Sequence, residues 1–406
     1  MESAMAGSLA GIVVVDFSQL AQGPFATQIL GDLGADIIKV EAPSGDWMRG
    51  YSLQNAYADG MSVSFMTYNR NKRSIVLDLK SKAGLDIALR LIDQADVVVE
   101  NFRPGVMQRL GLGYETLAER NPRLVYCASV GYGQDGPYLG RPGQDLLVQS
   151  LAGLASLGGR EQDPPAPAGV GVADLAAGLH IVYGVLAALI ARERTGQGQR
   201  VDVNMLDSML ALEHQEIASY LYTGELSPRA ASGLASAYAG APLGIYPTAD
   251  GWLALSMQPL GRLAELLGVE DFAGVTSSNV IEDRDAVKRR LEEATRTRTT
   301  DEWLEHLLAH DVWCAPVNDL DRVVEDPQVL HNGILITLDH PTAGPIRVVG
   351  SPVRLSGTPS SVRSVPPALG QHTAAILGEI LDMSEEDIGH AREAGAFGQA
   401  RPVPVA

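Results

Sequence analysis

The chain has 406 residues, 46% of them hydrophobic and 20% charged, which supports a full core in more than one domain and excludes a disordered polypeptide. Its 31 Lys and Arg against 49 Asp and Glu give a net charge of -18, so no nucleic acid and no anionic membrane is expected as a partner, although a small anionic ligand still fits a local basic pocket. Cys127 and Cys314 are the only cysteines, which excludes a disulfide framework and a zinc spacing.

No basic residue precedes Lys39, so a positively charged signal-peptide start is not expected. In chain order, GIVVVDFS reads as a strand, GPFATQILGDLGA as the helix after it, and DIIKVE as the next strand. SIVLDL, the helix KAGLDIALRLIDQ and the strand ADVVVEN follow, and RLVYCASVGYG is a strand ending in a glycine-rich loop. β-branched runs separated by helices of about 10 to 15 residues argue for right-handed crossovers and a parallel sheet. Ligands of such sheets gather at the carboxyl ends of the strands, where Gln22, Glu41, Asn101 and the 131–136 loop fall. The longest apolar run, LAAGLHIVYGVLAALIA at 175–191, has 17 residues and contains His180, so it reads as a buried core helix of a cytoplasmic protein and not as a membrane span. RVDVNM is a further strand. SPRAASGLASAYAGAPLG, at 227–244, has the composition of a loop or linker. A charged helical region occupies roughly 258–325, and strand and turn texture returns after Asn332, followed by a last helix at TAAILGEIL. The layout is a large α/β domain interrupted by a smaller one: 1–225, then a small domain at 226–330, then 331–406 returning to the large domain.

Gly131, Gly133 and Gly136 fit G-x-G-x-x-G, but Pro137, Gly140 and Pro142 prevent a helix from opening there, so no nicotinamide or flavin site is expected. His306 and His310 stand four apart beside Glu302 and Glu305. With no third ligand at a useful spacing they read as a solvated helix face, and no metal is assigned. Asp174 lies at the entry to the long apolar helix, where an aspartate serves as an N-cap and stays ionised. A carboxylate with an ordinary pKa near ~3.9 is also a nucleophile at neutral pH and needs no general base. No histidine precedes His180 to provide one.

The segments GPFATQILGDLGADIIKVEAPSGDWMRG, NKRSIVLDLKSKAG, ADVVVENFRPGVMQRLGL, NPRLVYCASVGYGQDGPYLGRPGQD, ADLAAGLHIVYGVLAALIARERTGQGQRVDVNMLDSML, CAPVNDLDRVVEDPQV and PALGQHTAAIL, in that order, resemble the class III CoA-transferases of the CaiB/BaiF type. The resemblance implies a Rossmann-like large domain with a parallel sheet, built from both chain ends, plus a small α+β domain, in an interlocked homodimer. It implies Asp174 as the covalent catalytic residue. Coenzyme A contacts are implied for Ala21, Gln22, the LDLK run from Leu77 to Lys80, Asn101, Phe102, Arg103, Arg109, Gln144, Asp145 and Met205. Coenzyme A is then a substrate, with no tightly bound cofactor. The activity implied is transfer of CoA from an acyl-CoA donor, such as succinyl-CoA, to a carboxylic acid through an aspartyl intermediate, with first-turn backbone N–H groups near Asp174 stabilising oxyanions. Two departures bear on the acceptor acid. ASAYAGAPLG lacks the glycine run of formyl-CoA transferases, and Ala21 and Ala42 replace polar or basic residues, which speaks against oxalate. The alternative within the same fold is a 2-methylacyl-CoA racemase. That subfamily needs an acid–base histidine where this chain has Gln144, which cannot exchange a proton at neutral pH.

Overall fold

A computed structural model describes residues 7–269 and 283–399, so part of the expected charged helical region, 270–282, lies outside the described residues. The chain forms two compact units: Met1–Val148, Gly171–Leu212 and Leu330–Ala406 make one, and Gln149–Val170 with Glu213–Val329 make the other.

In the first unit the β-branched runs form β1 (Val13–Asp16), β2 (Asp36–Glu41), β3 (Lys72–Val76), β4 (Val97–Glu100), β5 (Val125–Val130) and β6 (Arg200–Asn204). All pairs are parallel, and the spatial order is β3-β2-β1-β4-β5-β6. The order reverses between β1 and β4, which makes the carboxyl ends of those two strands the switch point of the sheet. The first five strands are buried almost throughout because helices cover both faces, which is why they read as continuous apolar runs. One face carries the cluster of Val15, Ile38, Ile75, Val98 and Tyr126 with Ile87 and Leu91; the other carries Val14, Ile37, Val97, Val99 and Val125 with Leu30, Ile181 and Val185.

The connecting helices include α1 (Gln22–Asp32), α2 (Val63–Tyr68), α3 (Lys82–Asp93), α4 (Val106–Arg109), α5 (Tyr114–Arg120), α6 (Asp145–Ala152), α7 (Val172–Thr195) and α8 (Met205–Leu212). Ser81 starts α3 by accepting from the Gly84 N–H, and Gly196 ends α7 in the left-handed conformation with φ 75°. By length and composition α7 is apolar enough to cross a membrane. Half of its most apolar stretch is buried in this chain, against α1, α8 and the sheet, so it is a core helix on one side only. Leu179, Tyr183 and Ile190 on its other side are 53%, 62% and 63% exposed, an apolar row at helical spacing.

All six strands come from residues before 205. The C-terminal residues return to this unit as an antiparallel hairpin, Leu335–His340 with Gly344–Val349, which matches the strand and turn texture expected after Asn332, and as helices and edge contacts. His372 Nδ1 accepts from the Ser74 N–H at 3.2 Å, the His372 N–H donates to Ser74 O at 2.9 Å, and Thr373 Oγ1 accepts from the Val76 N–H at 3.3 Å. The QHT tripeptide thus satisfies the free edge of β3. Asn71 clasps the same returning chain, its Oδ1 accepting from the N–H groups of Arg363 and Ser364 at 2.6 and 3.0 Å.

The second unit has a three-stranded antiparallel sheet, Gly244–Pro247, Trp252–Leu255 and Cys314–Pro316, and helices that include Leu260–Leu267, Arg284–Thr295 and Thr300–Leu308. Its extent differs from the 226–330 expected, because 149–170 and 213–225 also belong to it. The Arg229 guanidinium explains part of this: it donates to the carbonyls of Gly158, Glu161, Asp163 and Pro164. The 227–244 segment is irregular but is not a solvated linker. Ala230, Leu234, Ala239 and Ala241 are buried and join Tyr246, Leu253, Leu291 and Trp303 in this unit's core.

Candidate active site

Asp174 is the third residue of α7, and the N-cap position falls on Gly171, not on Asp174. The capping carboxylate comes from elsewhere in the same unit: Asp145 Oδ1 accepts from the N–H groups of Ala173 at 2.8 Å and Asp174 at 3.2 Å. The Leu175 N–H is taken by Gly171 O at 3.0 Å. The first-turn N–H groups of Ala173, Asp174 and Leu175, which the sequence offered as oxyanion donors, are therefore already engaged. Gly171 separates the two carboxylates: a Cβ there would stand 3.7 Å from Asp145 Oδ1 and 3.9 Å from Asp174 Oδ2.

Burial, and after it the charge of Asp145, push the Asp174 carboxyl up to about 7. This corrects the expectation of an ordinary carboxylate. The sequence placed Asp174 at a favourable helix start, but desolvation opposes its charge and the dipole end is already shared with Asp145.

Asp145 is held in place by a pinched loop. After β5 the chain leaves at Gly131 and returns at Gly143, and the two backbones touch: a Cβ on Gly143 would lie 2.6 Å from Gly131 Cα. The glycines of this loop thus close an excursion over 131–143 at its base and deliver Asp145 to the start of α7. Gln144 is exposed, and its Oε1 accepts from the Leu146 N–H at 3.1 Å.

The residues expected at coenzyme A divide into groups. At the switch point between β1 and β4, Asn101 Oδ1 accepts from the Gln19 N–H and its Nδ2 donates to Gln19 O, both at 2.8 Å. Asn101 therefore braces the β1–α1 loop, the loop that presents Ala21 and Gln22. Gln22 is buried; its Oε1 accepts from Ser129 Oγ at 2.6 Å and its Nε2 lies 3.6 Å from Met205 Sδ, which brings two expected contacts together. Phe102 packs partly against the core, and its N–H donates to Glu100 Oε2 at 2.8 Å. Arg103 is exposed. Arg109 ends α4 and, with Gly105, Gln108, Gln134 and Arg200, lines an open cavity of about 590 Å3. Lys80 is exposed, whereas Leu77 is fully buried in the core and its N–H is bonded to Glu41 O, so its side chain presents no surface to a ligand.

The sequence reading missed a buried charge network beneath the β1–α1 loop. Lys39 Nζ lies 2.8 Å from Asp46 Oδ2 and donates to Ser18 O at 2.9 Å. Lys72 Nζ lies 3.2 Å from Asp16 Oδ2, and Arg49 Nε lies 2.7 Å from Glu41 Oε2. Burial drops Lys72 to about 8, while Lys39 and Lys72 hold Asp16 ionised, below its ordinary range, against its own burial. The available signal was a charge inside each apolar strand, VVVD and DIIKVE, on neighbouring strands in register, Asp16 beside Lys39. The His306 and His310 pair holds backbone instead of metal: His306 Nε2 lies 3.1 Å from Leu266 O and His310 Nδ1 2.7 Å from His306 O.

Comparison with known proteins identifies the family. The sequence profile of CoA-transferase family III matches residues 9–373. The human succinyl-CoA:glutarate CoA-transferase is 34% identical over 399 residues, 96% of this chain and 90% of that protein. The formyl-CoA:oxalate CoA-transferase of Streptomyces coelicolor is 35% identical over 412 residues, 97% of this chain and all of that protein. The crystal structure of a CAIB/BAIF family protein from Brucella suis superposes with a TM-score of 0.82 at 34% identity, covering 92% of this chain and 100% of that one. With its doubly wound sheet and a match that spans most of its length, the chain belongs to CoA-transferase family III and is an acyl-CoA:carboxylate CoA-transferase.

Proposed function

We propose that this enzyme moves CoA from succinyl-CoA to a dicarboxylate of four or five carbons through a covalent intermediate on Asp174. The observation that carries the mechanism is the position of Asp174, partly buried in the first turn of α7 with Asp145 fixed beside it. Ionised Asp174 attacks the donor thioester carbonyl, and the C–S bond breaks to give a mixed anhydride and CoA thiolate. The thiolate attacks the aspartyl carbonyl, releases the donor acid and leaves an aspartyl-CoA thioester. The acceptor carboxylate then runs the exchange in reverse. Each step retains the energy of the thioester, provided water stays out while the anhydride exists. Asp145 acts as a positioning residue: it fixes the start of α7, and its charge adds to the burial that raises the pKa of Asp174.

Gln22, Asn101, Phe102, Arg103, Arg109, Lys80 and Met205 are the residues we assign to the coenzyme, with Arg109 and Lys80 answering phosphates and Asn101 acting through the Gln19 backbone. The substrate pair is supported by the glutarate-transferring relative and by the absence of a glycine run at 235–244. The exposed row of Leu179, Tyr183 and Ile190 supports a homodimer, in which a partner chain would cover it. A racemase reading finds no support at Gln144, whose amide cannot shuttle a proton.

The test is incubation with succinyl-CoA, 2-methylacyl-CoA and a panel of carboxylic acids in heavy water, with CoA esters followed by mass spectrometry and Asp174→Ala run in parallel. Glutaryl-CoA or a related ester, absent with the variant, is the expected product. Deuterium uptake on the methylacyl chain without a new ester overturns the assignment.

A further inference from the structure

Attack of Asp174 on a thioester moves the carbonyl π pair onto oxygen, and a donor must meet that oxyanion. The backbone N–H groups of Ala173, Asp174 and Leu175 do not serve, since they donate to Asp145 Oδ1 and Gly171 O. A donor other than these three N–H groups is needed.

Tyr68, the last residue of α2, carries such a donor. The backbone after it is locked, with Arg70 forked onto Asp32 at 3.0 and 2.6 Å and Asn71 Nδ2 donating to Asp32 at 2.8 Å. Its ring stands edge-on to Phe25 of α1, with centroids 6.1 Å apart and planes at 77°. Phe25 in turn nests on α7 at Gly178, one turn beyond Asp174, where any Cβ would come within 2.8 Å of Phe25 Cδ1. This chain of contacts ties the Tyr68 ring, through Phe25, to α7 one turn beyond Asp174. Burial raises the pKa of the Tyr68 hydroxyl, and the charges of Asp174 and Asp145 add to it, so the phenol keeps its proton. The hydroxyl engages no acceptor among the described residues, and the side chain is only partly buried, so its proton is available to a bound acyl group.

We propose that Tyr68 is a further catalytic residue, whose O–H donates a hydrogen bond to the oxyanion formed when Asp174 adds to the acyl carbonyl. The O–C bond forms and the C=O pair moves to oxygen. Tyr68 stabilises that oxygen without giving up its proton, and collapse expels CoA thiolate. The proposal rests on the assignment of Asp174 as nucleophile, and the experiment separates the two.

Wild type, Tyr68→Phe and Asp174→Ala are mixed with succinyl-CoA in single-turnover mode, and the Asp174 peptide is followed by mass spectrometry for the aspartyl-CoA adduct. CoA affinity is measured by calorimetry on the same samples. The expected result is an adduct rate about 100-fold lower in Tyr68→Phe, with CoA affinity within twofold of wild type. 3-Fluorotyrosine at position 68, a near-isosteric donor, should restore the rate to within about threefold of wild type, which guards against a folding defect in Tyr68→Phe. An adduct that forms at the wild-type rate in Tyr68→Phe refutes the role of Tyr68 and leaves the nucleophile intact. A slowed rate matched by an equal loss of CoA affinity also refutes it, since the residue would then be structural. Absence of any adduct in the wild type overturns the Asp174 assignment itself.

Discussion

Replacing Asp145 with Asn removes one negative charge while keeping an oxygen that can accept from Ala173 and Asp174. The carboxylates of Asp145 and Asp174 both lie within 4 Å of where a Gly171 Cβ would sit, so they are no more than about 8 Å apart. At that distance, with an effective dielectric near 20, their repulsion is about 2 kcal/mol. That corresponds to about 1.5 pH units, and water in a partly open site reduces it to roughly 1. Burial is the larger cause of the raised pKa of Asp174 and is unaffected by the substitution. The acid limb of kcat/KM, set in the wild type by Asp174 ionising near 7, should therefore move down to about 6 in Asp145→Asn and not to the ordinary 3.8. The sign follows from the chemistry: Asp174 must be deprotonated to attack, so activity rises with pH through its pKa. Exchanging a charged cap for a neutral one should cost about 0.5–1 kcal/mol while Asp174 is protonated, a drop of about 1–2 °C in Tm, and the relieved repulsion offsets it once Asp174 ionises. The assay is initial-rate CoA transfer from about pH 5 to pH 9 at constant ionic strength. An unmoved acid limb refutes the coupling of the two carboxylates. A fall to near 4 refutes the dominance of burial.

Gly143→Ala forces the base of the 131–143 loop open, because the new methyl would stand 2.6 Å from Gly131 Cα; kcat/KM should fall at least about tenfold through displaced Asp145, whereas Gly140→Ala, with nothing within 4 Å, should match wild type in the same rate assay. Arg109→Ala should raise KM for the CoA ester about tenfold with kcat held, and added salt should shrink the difference between variant and wild type. His372 accepts the Ser74 N–H through Nδ1 and must be neutral to do so; burial and Arg73 lower its pKa below 6.5 in the folded state. The folded state thus resists a proton that the unfolded chain takes up, so this stabilisation is full above pH 6.5 and fades as pH falls through the lowered value. The Tm gap between wild type and His372→Ala, measured by calorimetry, should narrow on acidification.

Local order alone determined the large-domain sheet. Runs such as VVVD, DIIKVE and VVVE are too apolar for a half-exposed strand, and the helical stretches between them require parallel crossovers, so strand existence and direction were legible in chain order. Asp174 was singled out as the candidate nucleophile by the family resemblance, which a whole segment carries without a gap, whereas its own position in the sequence read as a helix N-cap. What the sequence could not hold was the surroundings of that carboxylate. Its raised pKa depends on burial and on Asp145, a residue 29 positions earlier. The Gly131–Gly143 contact and the bonds from the Ala173 and Asp174 N–H groups hold Asp145 at the helix start, and contact between distant backbones leaves no periodic trace in a sequence. The reassignments of Leu77 to the core, Asn101 to the Gln19 backbone and the 227–244 segment to a packed core have the same origin. Residue type states what a side chain can do, and the tertiary structure decides which partner it meets and how much water remains around it.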